Sequence, residues 1–313
     1  MGINADTKKH LLDIMGEGIK FDEPMHRHTS FKAGGQADAF AVPDSYDRLL
    51  QLIKYAGHKK IEYFILGDGT NTLVKDRGFR GIIILLKDCL NKIVEKKRES
   101  KSIIIEAMAG VKLHKLCSFA IKKGFKGLNF AAGIPGTVGG GIIMNAGTKQ
   151  GTMQDVIDSI NVLIPNGQAQ RIDACNLDFG YRELLFKKDI ELKGVVILGG
   201  SFKLVMGDSD KLRREAKNIF KQRSIKHPKG YPSAGSFFKN PAAGKTAGEL
   251  IDMAGLKGKK TGDAQISQKH GNFIINRGRA SAGDILSLME LVQETVQKKF
   301  NIHLSPEVKI IGE

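Results

Sequence analysis

The residues of this chain best suited to chemistry lie in glycine-bearing loops. One is Gly67-Asp68-Gly69-Thr70-Asn71, set between two apolar runs. Another is residues 127–148, twenty-two positions without a charge in a chain that is 26% charged. Seven of the twenty-two are glycine and one is proline. That mixture suits neither a helix interior nor a lipid-spanning segment, since glycine and proline are poor helix formers and Asn129, Thr137 and Asn145 are polar. It suits backbone pressed against a bound molecule, with side chains removed so that amides reach it. Two familiar phosphate-binding patterns fail here. Gly67-Asp68-Gly69 opens a GxGxxG, but its sixth position is Thr72, and the apolar run beyond reads as a strand rather than a helix. Gly244-Lys245-Thr246 resembles the end of a P-loop, but the required first glycine is Lys239. What remains is a set of loops that jointly offer N–H groups to a pyrophosphate.

The elements that must position these loops follow from periodicity. Residues 8–19 and 46–56 read as amphipathic helices, the second capped by Asp44 or Ser45. Strands are expected at 63–66, 72–75 and 81–86, with extended chain over 25–42 broken at Gly34-Gly35. A strand at 103–107 leads to a helix at 113–123 that stops at Gly124. Strands at 155–164 and 195–204 follow the uncharged run, with Asn166-Gly167 as a type I′ hairpin signal. A basic helix at 210–223 runs into Pro228, Gly230 and Pro232, a boundary. Beyond it come a helix at 246–254, a strand at 273–276 and the helix 281–300, with Ser281 and Asp284 at capping-box spacing. A last strand covers 307–311. The fold class is α+β, in three units at 1–88, 89–205 and 206–313, the final strand expected to pack back on the first two.

Composition narrows the partners. At 313 residues two or three compact units are expected. The formal net charge of +16 suits nucleic acid, an anionic surface or small polyanions such as nucleotides. The cations are spread along the chain, and the densest run, residues 95–101, is interleaved with acids and reads as a solvated turn. Without a basic arm, a recognition helix or an RNP-like aromatic sheet, nucleic acid is not an expected partner. Cys89, Cys117 and Cys175 form no CxxC, so reduced thiols are the expectation, and no His or Cys pair has metal-ligand spacing. No export signal or transmembrane run is visible, so a cytoplasmic protein without membrane insertion is expected.

Read in order, several segments resemble one family. They are His28-Thr29-Ser30-Phe31-Lys32-Ala33-Gly34-Gly35, Leu66-Gly67-Asp68-Gly69-Thr70-Asn71-Thr72-Leu73-Val74, and Ala132-Gly133-Ile134-Pro135-Gly136-Thr137-Val138-Gly139-Gly140. Tyr181-Arg182, Gly235-Ser236-Phe237-Phe238-Lys239-Asn240-Pro241, Ala254-Gly255-Leu256-Lys257-Gly258 and Pro306-Glu307-Val308 follow. Seven motifs in register resemble the UDP-N-acetylenolpyruvoylglucosamine reductases, over residues 20–312. The resemblance implies a two-part FAD domain of the vanillyl-alcohol-oxidase type and a third domain for substrate. It implies noncovalent FAD, NADPH as hydride donor, and reduction of an enolpyruvyl UDP-sugar to UDP-N-acetylmuramate in peptidoglycan precursor synthesis, in a monomer.

The same resemblance assigns residues. Ser236 matches the serine that protonates the carbanion left after hydride arrives, Arg182 the arginine near the substrate carboxylate, and Glu307 the glutamate completing the electrophilic side. Gly67, Asp68, Gly69, Thr70, Asn71, Gly133, Ile134, Pro135, Gly136, Thr137, Gly139, Gly140, Asn145 and Gly147 are expected around FAD. Of these, Gly133, Gly136, Gly139 and Gly140 are expected to turn their amides toward it. Arg223, Lys226, Lys239 and Asn240 match or adjoin positions that hold the pyrophosphate, carboxylate or uridine, and His270 a polar substrate-side position. Asp68 departs from the family, which usually has a small or amide residue there. A carboxylate facing a pyrophosphate is repelled, so Asp68 is expected to point away or to bind through water. The short spacer between Arg182 and Ser236 matches the subtype lacking an extra tyrosine loop. An FAD-dependent alcohol or sugar oxidase is the alternative enzyme reading; the set Ser236, Arg182 and Glu307 argues against it.

Overall fold

In the computed structural model, residues 3–187, 194–242 and 244–313 are described. Helix α1 (Ala5–Met15) starts earlier than its apolar pattern suggests, because the Asn4 side chain accepts from Thr7 N and caps it. Helix α2 (Tyr46–Lys59) is capped by Ser45. Both helices cover one face of a four-stranded sheet ordered Ile19–Pro24, Gln36–Ala41, Phe79–Leu85, Tyr63–Leu66. Leu11, Met15, Leu49, Leu52 and Ile53 meet Ala39, Ile82 and Ile84 there, all fully buried. The strand Ile19–Pro24 lies outside the sequence expectation. It pairs antiparallel with Gln36–Ala41, while the remaining pairs in this sheet are parallel.

The second sheet is antiparallel, ordered Ala169–Asp173, Ile157–Leu163, Val196–Met206, Ser102–Met108, Ile93–Arg98. Helix α3 (Leu113–Lys122) and the short helix α4 (Val138–Ile143) pack into the same core. The charged stretch at 95–98 is therefore an exposed edge strand rather than a turn. Lys96 pairs with Glu106 across it at 3.1 Å, and the alternating charges blunt the open edge. The hairpin at Asn166-Gly167 forms, but of its two residues only Gly167 has positive φ, +86°. The Asn166 carboxamide oxygen accepts from Gln168 N at 2.9 Å, so an Asx turn replaces the I′ turn.

Helix α5 (Ser209–Lys226) runs to the third region, where α6 (Ala247–Met253) and α7 (Ala282–Phe300) pack with a sheet of Lys260–Thr261, Ala264–Ile266 and Ile274–Asn276. The capping box of Ser281 and Asp284 starts α7. Asp76 adds its carboxylate to Ala282 N and Gly283 N at 2.8 and 2.7 Å, docking that helix on the first region. Lys309–Ile311 then pairs parallel with Thr72–Val74. Asn276 secures the same junction by donating to the Phe31 carbonyl at 2.9 Å. These ties bring Glu307 and Lys309 against Asn71, whose side chain donates to the Glu307 carbonyl at 3.0 Å and whose carbonyl accepts from Lys309 N at 2.9 Å. Among the described residues no helix is long and apolar enough to cross a membrane.

Candidate active site

A cavity of about 1130 Å³ opens where the three regions meet. Its first wall is the turn at residues 67–71, which continues from the strand Tyr63–Leu66. Gly69 has φ +63°, and a Cβ on it would collide with the His28 carbonyl, so only glycine fits that bend. The second wall is residues 133–140. The walls come close enough at two points to leave little room for a side chain. A Cβ on Gly67 would stand 2.9 Å from Thr137 Oγ1, and one on Gly136 would stand 3.3 Å from Thr70 Oγ1.

Hydrogen bonding sorts the amides of these walls into two groups. Those of Gly67, Asp68, Gly69, Thr70 and Asn71, and of Gly133, Gly136 and Thr137, have no acceptor among the described residues. Those of Gly139 and Gly140 are committed: Gly139 N donates to the Ala109 carbonyl at 2.9 Å and Gly140 N to Thr137 Oγ1 at 3.3 Å. The expectation that these two amides face a cofactor is thereby corrected, because the start of α4 consumes them in anchoring itself. Asp68 is among the residues lining the cavity. Lys112 meets its carboxylate at 3.3 Å and offsets part of its charge.

At the other side of the cavity stand Arg182, Arg223, Ser236 and Glu307. Arg182 occupies the two-residue turn of a hairpin, Leu177–Gly180 with Glu183–Phe186, that periodicity did not disclose. Its φ is +64°, a left-handed conformation uncommon for a non-glycine residue. Arg182 Nε lies 3.0 Å from Glu307 Oε1, and its Nη1 donates to the Gly147 carbonyl at 3.2 Å. The Nε contact is close but poorly aligned, since that buried atom lacks a fully formed hydrogen bond. Burial pushes the Glu307 carboxyl above the usual carboxylate range, outweighing the opposite pull of Arg182 and Lys239. Arg223 ends α5. Burial first, then repulsion from Arg182, lowers its pKa, and its Nε is buried without an acceptor.

Ser236 is held by its neighbours. Phe237 N and Phe238 N donate to the carbonyl and side-chain oxygen of Asn272, at 2.8 and 2.9 Å. Asn272 returns a bond to the Phe238 carbonyl, and Glu307 N donates to the Phe237 carbonyl at 2.8 Å. Ser236 and Glu307 therefore ride on directly bonded backbone segments.

Two family models match the chain: an FAD binding domain over residues 37–173 and the C-terminal domain of UDP-N-acetylenolpyruvoylglucosamine reductase over residues 227–311. A reductase of that name from Clostridium tetani is 44% identical over 310 residues, covering 98% of this chain and 97% of the relative. One from Desulfosudis oleivorans is 41% identical and covers 98% of each. The chain belongs to the UDP-N-acetylenolpyruvoylglucosamine reductase family. The crystal structure of the Thermus caldophilus reductase superposes with a TM-score of 0.76 at 30% identity, over 94% of this chain and 98% of that one. The protein is accordingly an FAD-dependent oxidoreductase with an α+β fold, an FAD-binding domain preceding the family's C-terminal domain.

The residues present fit FAD. The free amides of both walls suit a pyrophosphate, and six cations (Arg27, Lys87, Lys112, Arg182, Arg223, Lys309) against two carboxylates (Asp68, Glu307) line the cavity. Gly140 supports the same fit. A Cβ there would meet only Thr137 Oγ1, at an ordinary 3.6 Å, so protein packing does not require glycine at this cavity position.

Other expected site residues of this reductase lie elsewhere. Ile134, Pro135 and Gly147 line the cavity, but Asn145, Lys226, Lys239, Asn240 and His270 do not. Asn145, at φ +38°, donates to the Gly180 carbonyl at 3.1 Å and accepts from Gln154 N, so it braces the hairpin bearing Arg182. Asn240 accepts from Ala247 N at 3.0 Å, at the start of α6. Lys239 Nζ stands 3.8 Å from Glu183. His270 accepts from Asn272 N through Nδ1 at 3.2 Å, beneath His227 and Phe273. His28 and His227 line the cavity without having been singled out from sequence. His28 stacks on Phe40 and contacts Glu23 at 2.8 Å, a partnership that no local pattern announces.

Proposed function

We propose that this chain reduces the enolpyruvyl group of UDP-N-acetylglucosamine enolpyruvate to give UDP-N-acetylmuramate, for peptidoglycan precursor synthesis, with NADPH as electron source. The observation that carries this is the convergence of Arg182, Glu307, Arg223 and Ser236 on the cavity whose other side carries the free amides. FAD, when bound, supplies the hydride that adds to one carbon of the enolpyruvyl double bond. The amides of residues 67–71, with those of Gly133, Gly136 and Thr137, hold its pyrophosphate, and Gly140 leaves room beside it. Asn145 acts on the site through the hairpin of Arg182.

Hydride addition leaves negative charge spread over the neighbouring carbon and the carboxylate. Arg182 stabilises that charge from a fixed position, without reorganising water. Glu307, whose carboxyl burial makes easier to protonate than usual, can donate a hydrogen bond to the enolate oxygen only when it carries its proton. Ser236 delivers the proton to carbon, completing the saturated product. Lys226, Lys239, Asn240 and His270 surround the UDP portion from outside the present lining. The three units 1–88, 89–205 and 206–313 divide these tasks: the first two hold FAD and the third holds substrate. The protein works as a cytoplasmic monomer.

Two half-reactions test the reading. Anaerobic NADPH should bleach the flavin absorbance, and the enolpyruvyl UDP-sugar should restore it with formation of UDP-N-acetylmuramate. Flavin that NADPH reduces but the UDP-sugar leaves reduced would overturn it in favour of an oxidase, in which molecular oxygen restores the colour.

A further inference from the structure

His227 is the cavity residue whose surroundings the reading above does not use. It follows the last turn of α5, where its amide donates to the Arg223 carbonyl at 3.0 Å, and Pro228 succeeds it. Its ring lies against Phe273, centroids 4.9 Å apart, and edge-on to His270 at 6.1 Å. Every charged or titratable group acting on the ring is cationic or becomes so on protonation: Arg223 and Lys226 from α5, Lys269 and His270 from the loop before Phe273. Neither ring nitrogen has a hydrogen-bond partner among the described residues. His270 differs, because its Nδ1 already accepts from Asn272 N and a proton there would break that bond.

A cluster of cations containing an imidazole with both nitrogens free lacks its counter-charge. Arg223, with Nε buried and unpartnered one helical turn away, lacks the same thing. Resting on the reading that a UDP-sugar enters this cavity, we propose that His227 binds the diphosphate of that ligand as imidazolium, taking up a proton as the ligand arrives. In the free protein burial and the surrounding cations hold His227 down to about 4, so it is neutral near pH 7. A dianionic diphosphate in the cavity beside Arg223 and His227, with Lys226 and Lys269 close enough to act on the ring, reverses that balance, favouring the charged ring. Its proton comes from solvent, no covalent bond changes, and the ring then donates to the phosphate oxygens.

The linkage has a sign. Between the free and bound pKa values of His227, affinity falls as pH rises, by up to about tenfold per pH unit for one linked proton. UDP-N-acetylglucosamine is a suitable probe, because its diphosphate is doubly esterified and does not titrate in this range. Titration of the oxidised holoenzyme, followed by flavin absorbance between about pH 5.5 and 7.5, should show affinity falling toward high pH. Calorimetry in buffers of different ionisation enthalpy should show proton uptake. H227Q keeps hydrogen-bonding capacity but does not titrate, so its affinity profile should be flatter and its proton uptake smaller. Glu307 also faces added negative charge, and E307Q should leave most of the His227-linked slope in place. Ordinary binding with no proton uptake, or an H227Q profile as steep as wild type, would overturn the inference while leaving the reductase reading intact. Failure of the probe to bind at any pH, with enolpyruvyl substrate also unbound, would overturn both.

Discussion

Arg182 Nε and Glu307 Oε1 lie 3.0 Å apart, although one residue sits in a hairpin turn and the other beside the final strand. Their side chains are only 23% and 16% exposed, so solvent screens the pair weakly. Even so, burial raises the Glu307 pKa despite the adjacent guanidinium. Desolvation of the buried carboxyl is the larger effect, and it outweighs both the Coulomb attraction and the hydrogen bonding that Arg182 offers. The pair therefore joins a permanent cation to a carboxyl more easily protonated than usual, the combination needed beside a developing enolate.

Stability should carry the signature of that raised pKa. A carboxyl whose folded pKa exceeds its unfolded value contributes stability that is fully present below the unfolded pKa and is lost as pH rises through the folded one. Wild type should therefore lose stability relative to E307Q as pH climbs from about 4.5 upward. Urea unfolding of both proteins across this range measures the difference. A difference independent of pH would show that Glu307 titrates as it does in the unfolded chain.

Ser236→Ala should separate the two half-reactions. NADPH bleaching of the flavin should proceed at the wild-type rate, because the hydroxyl is not needed there. Reoxidation by the enolpyruvyl UDP-sugar should slow by roughly 10²–10⁴-fold, the usual contribution of a positioned proton donor. Stopped-flow absorbance reads both rates, and equal slowing of the two would assign Ser236 to positioning the flavin instead.

Much of the scaffold was legible because its signals are local. Tyr63–Leu66 is four apolar or aromatic residues before a glycine turn, and α7 announces itself through Ser281, Asp284 and the stripe Ile285, Leu288, Val292 and Val296. The loop segments were visible by composition alone. What stayed hidden depends on partners far along the chain. The commitment of Gly139 N depends on the Ala109 carbonyl, and the role of Asn145 on a hairpin thirty-five residues later. The surroundings of His227 depend on Phe273 and His270, more than forty residues further along the chain. The edge strand at 93–98 was missed because exposed, charge-alternating residues suit an edge as well as a turn.

Arg182→Lys should damage the enolate site more than its conserved charge suggests. Lysine cannot reach Glu307 and the Gly147 carbonyl together with a planar fork. Loss of one preorganised contact to developing charge costs roughly 10²–10³-fold in rate, so flavin reoxidation should fall by that order while FAD remains bound. Loss of FAD from the purified variant would instead mark Arg182 as part of the cofactor's support.

Gly69 and Gly140 should respond oppositely to alanine. At Gly69 the backbone is left-handed and a Cβ strikes the His28 carbonyl, so Gly69→Ala should cost about 1–3 kcal/mol of folding stability through strain and displacement of the turn. At Gly140, inside α4, a Cβ meets only Thr137 Oγ1 at 3.6 Å. Alanine is the better helix former by about 0.8–1 kcal/mol, so FAD-free Gly140→Ala should be as stable as wild type or slightly more so. Its FAD affinity should nevertheless drop, because the added methyl occupies space facing the cavity. Urea unfolding of the FAD-free proteins gives the first quantity, and titration with FAD followed by quenching of its fluorescence gives the second. Gly140→Ala with undiminished FAD affinity would show that the cofactor does not approach α4, and that the second wall ends before it.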